Sequence, residues 1–223
     1  MGRSSAASGR TRAYLVCDAL GGPLLARVPA LLRCAAENET THHANAGGGE
    51  SAHVPGSGMD AIVLGRVLGA LGECCAASRN APDAARLAAA TLEAAAAARR
   101  HPLPDVRRAA LFAAFGALAA VPPAAAWRAI EDASRDTGDN TTGAVVGAGS
   151  ALGRVLAATE AWAEEARARD PDEDARRLAT RVGLAAADLE QRALQVGARR
   201  ERGGDALEAL KSITAEVVEA MTL

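Results

Sequence analysis

Alanine restricts what this chain can fold into more than any other feature, filling 58 of the 223 positions, about one in four. It has the highest intrinsic helix propensity and is poor in strands, so the sequence predicts an all-α protein and argues against a β-sandwich or barrel. Only Tyr14, Phe112, Phe115, Trp127 and Trp162 are aromatic, which leaves no material for a bulky aromatic core. A chain with 49% apolar and 23% charged residues has the balance of a globular protein, not a disordered one. Its formal charge of −2 argues against a nucleic-acid-binding domain, which is normally clearly basic.

No uninterrupted apolar run reaches the ~18 residues of a membrane span, and no membrane partner is expected. The start of the chain carries Arg3, Arg10 and Arg12 with no acid before Asp18, a faint likeness to a transit peptide. A flexible or truncated start reads equally well and is preferred. Gly2 opens no myristoylation signal, because Ala6 stands where Ser or Thr is required. Cys17, Cys34, Cys74 and Cys75 lack disulfide-like spacing, so reduced thiols in the cytosol or nucleus are expected.

Punctuation by Pro and Gly divides the chain into a series of helices. Residues 24–37 form one candidate that Pro29 can kink, followed by an Asn/Thr/His/Gly-rich loop over 38–58. Residues 1–58 therefore read as a poorly ordered extension. From Met59 the texture changes, with Ile62, Leu64, Val67, Leu68 and Leu71 at helical spacing over 59–77. Further helices are predicted over 82–100, 104–120, 124–133, 151–169 and 172–196, with a Gly/Thr/Asn insertion at 137–149. The helix over 104–120 is apolar on every side after Arg108, which places it in the middle of a packed layer. The helix over 151–169 carries Leu152, Val155, Leu156, Thr159 and Trp162 along one stripe. Gly203-Gly204 is expected to separate a last amphipathic helix, on which Leu207, Leu210, Ile213, Val217 and Met221 share a face.

Two helix starts repeat each other. His101-Pro-Leu-Pro-Asp-Val-Arg-Arg-Ala-Ala110 aligns with Asp170-Pro-Asp-Glu-Asp-Ala-Arg-Arg-Leu-Ala179, with Pro, Asp, Arg, Arg and Ala in register. This is the pattern of the second helix of HEAT-type repeats, and each residue has a physical task. Pro102 or Pro171 ends the preceding helix, and Asp105 or Asp174 can cap first-turn amides. Arg107 and Arg176 can reach a carboxylate in the neighbouring repeat, and the alanines let helices approach closely. The starts lie 69 residues apart, more than one HEAT repeat of about 40–47, and the 137–149 insertion accounts for part of the excess. A solenoid needs about three repeats, so residues 59–100 must supply a degenerate pair. The predicted architecture is a HEAT/armadillo-like α-solenoid of seven or eight antiparallel helices, with a long surface suited to protein binding.

Beyond the repeat, the stretch Gly65-Arg-Val-Leu-Gly-Ala-Leu-Gly-Glu-Cys74, the run His101-Pro through Val106-Arg-Arg-Ala-Ala-Leu-Phe112, and Trp162 eight residues before Asp170-Pro-Asp-Glu-Asp together resemble the C-terminal conserved domain of the telomere length regulation protein family. The similarity spans roughly residues 59–194, and the tryptophan spacing is its most specific part. The resemblance implies a non-enzymatic helical scaffold, a subunit of the TTT co-chaperone complex. Family proteins bind the other TTT subunits and connect phosphatidylinositol-3-kinase-related (PIKK-family) kinases to the heat-shock chaperone machinery. Telomere maintenance and DNA-damage signalling follow from that. Full members are much longer, with an N-terminal solenoid and an acidic phosphorylatable linker that recruits the chaperone adaptor; neither is found in these residues. The implied division is an extension over 1–58, the HEAT-like domain over 59–202 and a C-terminal helix over 203–223. Cytoplasmic and nuclear localisation is implied as well. Arg107, Arg108, Trp162, Asp170, Asp172, Asp174, Arg176 and Arg177 are the candidates for contacts between repeats or with partners.

Other chemistries find less support. Gly147-Ala-Gly149-Ser-Ala-Leu-Gly153 loosely echoes a dinucleotide-binding glycine pattern, but the spacing is wrong and no strand precedes it. Cys17, Cys34, His42, His43 and His53 lack the paired spacing of a zinc site, and Cys74-Cys75 reads as a core pair acting as small hydrophobes. The acidic run Asp170, Asp172, Glu173, Asp174 lacks the alternation and glycine of a calcium loop. Asn38-Glu-Thr40 and Asn140-Thr-Thr142 match glycosylation acceptors without a signal peptide to support them. No metal, cofactor or catalytic group is expected. An unrelated HEAT adaptor, for example in transport, is the runner-up, and a small enzyme using the loop over 143–153 is a remote third.

Overall fold

A computed structural model describes residues 21–31, 57–79, 81, 83–136 and 151–222. The described residues are all-helical and contain no strand. Residues 21–31 form α1. It is followed by α2 (Ser57–Ser78), α3 (Ala84–Ala97), α4 (Pro104–Ala120), α5 (Pro123–Asp136), α6 (Ala151–Arg169) and α7 (Glu173–Thr222).

The middle of the fold is α4, which packs against α2, α3 and α7. Its expected all-round apolarity is matched by burial of Val106, Ala110, Leu111, Ala113, Ala114, Ala117 and Leu118. α3 also packs on α6, and α7 packs on α4, α5 and α6. The tightest approach joins α2 and α4 through glycine. A Cβ built on Gly116 would lie 2.8 Å from the backbone carbon and 2.9 Å from the Cα of Gly72. One on Gly72 would lie 2.9 Å from Ala113 Cα. Only glycine at both positions lets the two backbones touch. Around this close approach the core combines leucines of both helices, Leu64, Leu68 and Leu71 from α2 and Leu111 and Leu118 from α4, with Ala110, Ala113, Ala114 and Ala117 of α4.

Helix α2 contains one stretch, Asp60–Ser78, that is long and apolar enough to cross a membrane by length and composition, although Asp60, Arg66 and Glu73 interrupt it so that no uninterrupted apolar run is formed. Half of that stretch is buried inside the bundle, where Leu64, Leu68, Leu71 and Cys75 join the core. Ile62, placed on the apolar face by spacing, is instead 54% exposed. Cys74 and Cys75 are both buried, and the Cys75 thiol donates to Thr91 Oγ1 at 3.3 Å. Ser78 Oγ donates back to Cys74 O at 2.7 Å, satisfying its hydroxyl at the end of α2.

Several boundaries differ from the sequence-based ones. α2 begins at Ser57 rather than Met59, α3 spans Ala84–Ala97 inside the predicted 82–100, and α5 continues to Asp136. Gly203-Gly204 does not divide a helix; α7 runs through both without interruption. Glycine costs about 1 kcal/mol in a helix, which weakens it but does not end it as proline would. At about 1.5 Å per residue, the 50 residues of α7 span roughly 75 Å, far longer than any helix packed against it. Gly197, the last buried position of α7 among the residues whose exposure is described, meets Trp127; a Cβ there would lie 2.6 Å from the indole ring. Cys17, Cys34, His42, His43, His53 and the loops over 38–56 and 137–149 lie outside the described residues.

Candidate functional site

The two repeated helix starts meet in space. The turn from α3 to α4 ends with Leu103 in extended backbone (φ −77°, ψ 125°) and Pro104 opening α4, where a missing N–H costs nothing. The turn from α6 to α7 carries Asp170-Pro171-Asp172. Arg107, on the first turn of α4, joins them. Its Nε and Nη2 donate to Asp170 Oδ2 and Oδ1, both at 2.9 Å, in a two-pronged pair. Its Nη1 donates to the carbonyls of His101 at 2.9 Å and Pro102 at 2.7 Å. One guanidinium therefore closes its own turn and grips the next.

The pair is largely buried, with 11% of the Arg107 side chain and 7% of the Asp170 side chain exposed. Burial alone would raise the Asp170 pKa. The hydrogen bond from Arg107, the Asp172 N–H and the charges of Arg107 and Arg176 outweigh it, so the carboxyl sits below its ordinary value. Arg107 is correspondingly held above its ordinary value, first by that hydrogen bond. Asp170 Oδ1 also accepts from Asp172 N–H at 2.9 Å, which shapes the turn entering α7.

Arg176 repeats half of this arrangement. Its Nη1 donates to the carbonyls of Asp170 at 2.7 Å and Pro171 at 3.3 Å, matching Arg107 on His101 and Pro102. The expected reach from Arg176 to a neighbouring carboxylate is not found among the described residues. Arg107 has the Asp170 turn beside it, whereas Arg176 lies on the last of the repeated turns.

Arg108 extends the junction on its exposed side. It pairs with Asp105 on its own helix and approaches Asp174 at 3.3 Å and Asp172 at 3.7 Å across the turn. Arg177, its counterpart in the repeat, stays local with Glu173 at 2.6 Å and Asp174 at 3.5 Å. The expected capping by Asp105 and Asp174 is therefore corrected. α4 has no side-chain cap bond, and the cap of α7 is Asp172, whose Oδ1 accepts from Ala175 N–H at 2.8 Å. Asp105 and Asp174 sit too far into their helices to turn back on the amides, and the arginines take them instead.

Trp162 of α6 is 6% exposed and belongs to the core beside Ala163 and Ala166. Together with Pro102, Pro171 and Ala166 it lines a cleft of about 280 Å³ between the two turns. Arg99, Arg100, His101, Glu165 and Arg169 complete that cleft and were not singled out by sequence reasoning. A signal was present: Arg100-His101-Pro102 and Arg169-Asp170-Pro171 are in register, so each X-Pro turn is preceded by an arginine. His101 Nδ1 accepts from Leu103 N–H at 3.2 Å, tying the imidazole to its own turn. A larger apolar cavity, about 370 Å³, lies between α5, α6 and α7 and is lined by Ala126, Ile130, Leu156 and Leu189. Among the described residues no group of three or more His, Cys, Asp or Glu could hold a metal ion.

No family model matches the chain, and no curated protein and no solved structure is significantly similar to it.

Proposed function

We propose that the chain is a HEAT-type α-solenoid that works as a non-enzymatic protein-interaction scaffold, and that it serves as a TTT-complex subunit. The observation supporting the solenoid is the Arg107 junction. A sequence repeat at 69-residue spacing coincides with two turns of the same hydrogen-bonded form, linked by one arginine. Pairing α3 with α4 and α6 with α7 gives two helix pairs that carry the repeated starts; α3 thereby leaves the degenerate pair expected over 59–100, of which α2 remains, and α5 is an insertion. Linkage of each unit to its neighbour is how a solenoid holds together without a single central core.

The TTT assignment rests on the sequence resemblance around Trp162, His101-Pro102 and Asp170-Pro171. In that role the chain binds the other TTT subunits and supports maturation of PIKK-family kinases with the heat-shock chaperone machinery, in cytoplasm and nucleus. Affinity capture of the tagged chain from cells tests it. Co-purification of the companion subunits or of any of the large kinases is expected. Recovery of neither overturns the TTT assignment and leaves an unrelated HEAT adaptor. Thermal-shift with dinucleotides tests the scaffold itself, since clear ligand-induced stabilisation would defeat it.

A further inference from the structure

We propose that the cleft between the two repeated turns binds an acidic peptide segment of a partner protein. The walls are cationic. Arg99 and Arg100, in the turn that follows α3, stand on one side and Arg169 ends α6 on the other. The anions available within the cleft are Glu165 and Asp170, and both are engaged: Asp170 by Arg107 at 2.9 Å, and Glu165 by Arg100 at 3.5 Å. Arg99 and Arg169 make no ion pair among the described residues. Arg99 spends one nitrogen on the Ala96 carbonyl at 3.2 Å, an ordinary helix-end contact, and keeps its other donors.

The floor adds a second, independent feature. Trp162, only 6% exposed, lines this cleft. Around it lie the apolar surfaces of Pro102, Ala166 and Pro171. Guanidinium groups that pair with carboxylates in two-pronged fashion and an apolar notch together select an anionic chain carrying an apolar side chain. A space of about 280 Å³ accommodates such a side chain and a flanking carboxylate, not a folded domain.

The inference rests on the scaffold reading only in taking the anion to be part of a protein. The test is fluorescence polarisation of the whole chain with a labelled peptide of alternating Asp and Glu around a central Leu. A matched Asn/Gln peptide and a single-stranded DNA oligonucleotide are run beside it. Saturable binding of the acidic peptide that weakens as salt rises is expected. Arg99→Glu with Arg169→Glu should reduce affinity at least roughly tenfold, whereas Arg66→Glu on the exposed side of α2 should leave it unchanged. If the doubly reversed variant fails to keep the wild-type helical circular dichroism, Arg99→Gln with Arg169→Gln replaces it, with the same loss expected. Absence of saturable binding, equal loss with Arg66→Glu, equal binding of the Asn/Gln peptide, or tighter binding of the oligonucleotide through the same arginines would each overturn the proposal. Peptide binding with failed cellular capture removes the TTT assignment and leaves the cleft standing; the reverse result removes the cleft alone.

Discussion

Arg107 and Asp170, 63 residues apart, form a two-pronged ion pair with both bonds at 2.9 Å, and the same arginine holds the two carbonyls of its own turn. A pair with so little solvent contact differs from a surface salt bridge, because removing one partner leaves the other buried and uncompensated. Arg107→Ala is expected to destabilise the fold by about 3 kcal/mol, lowering Tm by roughly 6–12 °C. Arg107→Lys should recover only part of this, since an ammonium cannot span both carboxylate oxygens and both carbonyls. Thermal unfolding followed by circular dichroism measures it. An unchanged Tm in Arg107→Ala combined with lost partner binding would move this arginine from the fold to an interface.

The same pair gives the acid response a sign. The folded-state pKa of Asp170 lies below its unfolded value, so its contribution is fully present above the ordinary carboxylate pKa of about 3.9 and fades as pH falls toward the folded value. The Tm difference between wild type and Asp170→Asn should therefore be largest near neutrality and shrink on acidification below about pH 4. A difference that stays constant across that range would remove ionisation of Asp170 as the cause.

The crossing of α2 and α4 predicts an inversion of helix propensity. Gly→Ala normally stabilises a helix interior by roughly 0.5–1 kcal/mol. Gly69, with open space at its Cβ position, should follow that rule. Gly116→Ala should instead destabilise by about 1–3 kcal/mol, because the new methyl meets the Gly72 backbone and neither helix can yield without opening the core. Chemical denaturation of the two variants side by side decides it; stabilisation by both would show that the helices do not touch here.

Capping separates residues that look alike in sequence. Asp172→Ala removes the acceptor for Ala175 N–H and is expected to cost about 1 kcal/mol. Asp105→Ala, at an 85% exposed side chain paired only within its own helix, should cost no more than a few tenths of a kcal/mol. Urea unfolding midpoints measure both, and equal losses would contradict the assignment of the cap to Asp172.

Much of the helix layout was legible in the chain. The bounds of α4 and α6 coincide with the predicted ones; Pro104 opens α4, and Pro122 and Pro171 stand just beyond the ends of α4 and α6, where an X-Pro step stops a helix. The repeated turns were legible as well, and so was the reach of Arg107 toward a carboxylate beyond its own helix. The continuity of α7 through Gly203-Gly204 was not, because glycine weakens a helix without ending it and the flanking residues are good helix formers. The cleft was missed for a different reason: Arg99, Arg100 and Arg169 look like ordinary basic helix ends until the two turns are placed face to face.

Sequence alone determined that this protein is built of helices and that its repeated turns share one chemistry, since both follow from alanine content, proline positions and short-range spacing. Tertiary structure decided what those residues meet. Position along the chain could not say that Gly72 and Gly116 would touch, that Asp172 rather than Asp174 would cap α7, or that the Asp170 turn would lie within reach of Arg107. Helix formation is governed by neighbours three and four residues away, whereas these contacts join segments tens of residues apart, and only the packing of whole helices sets their distances.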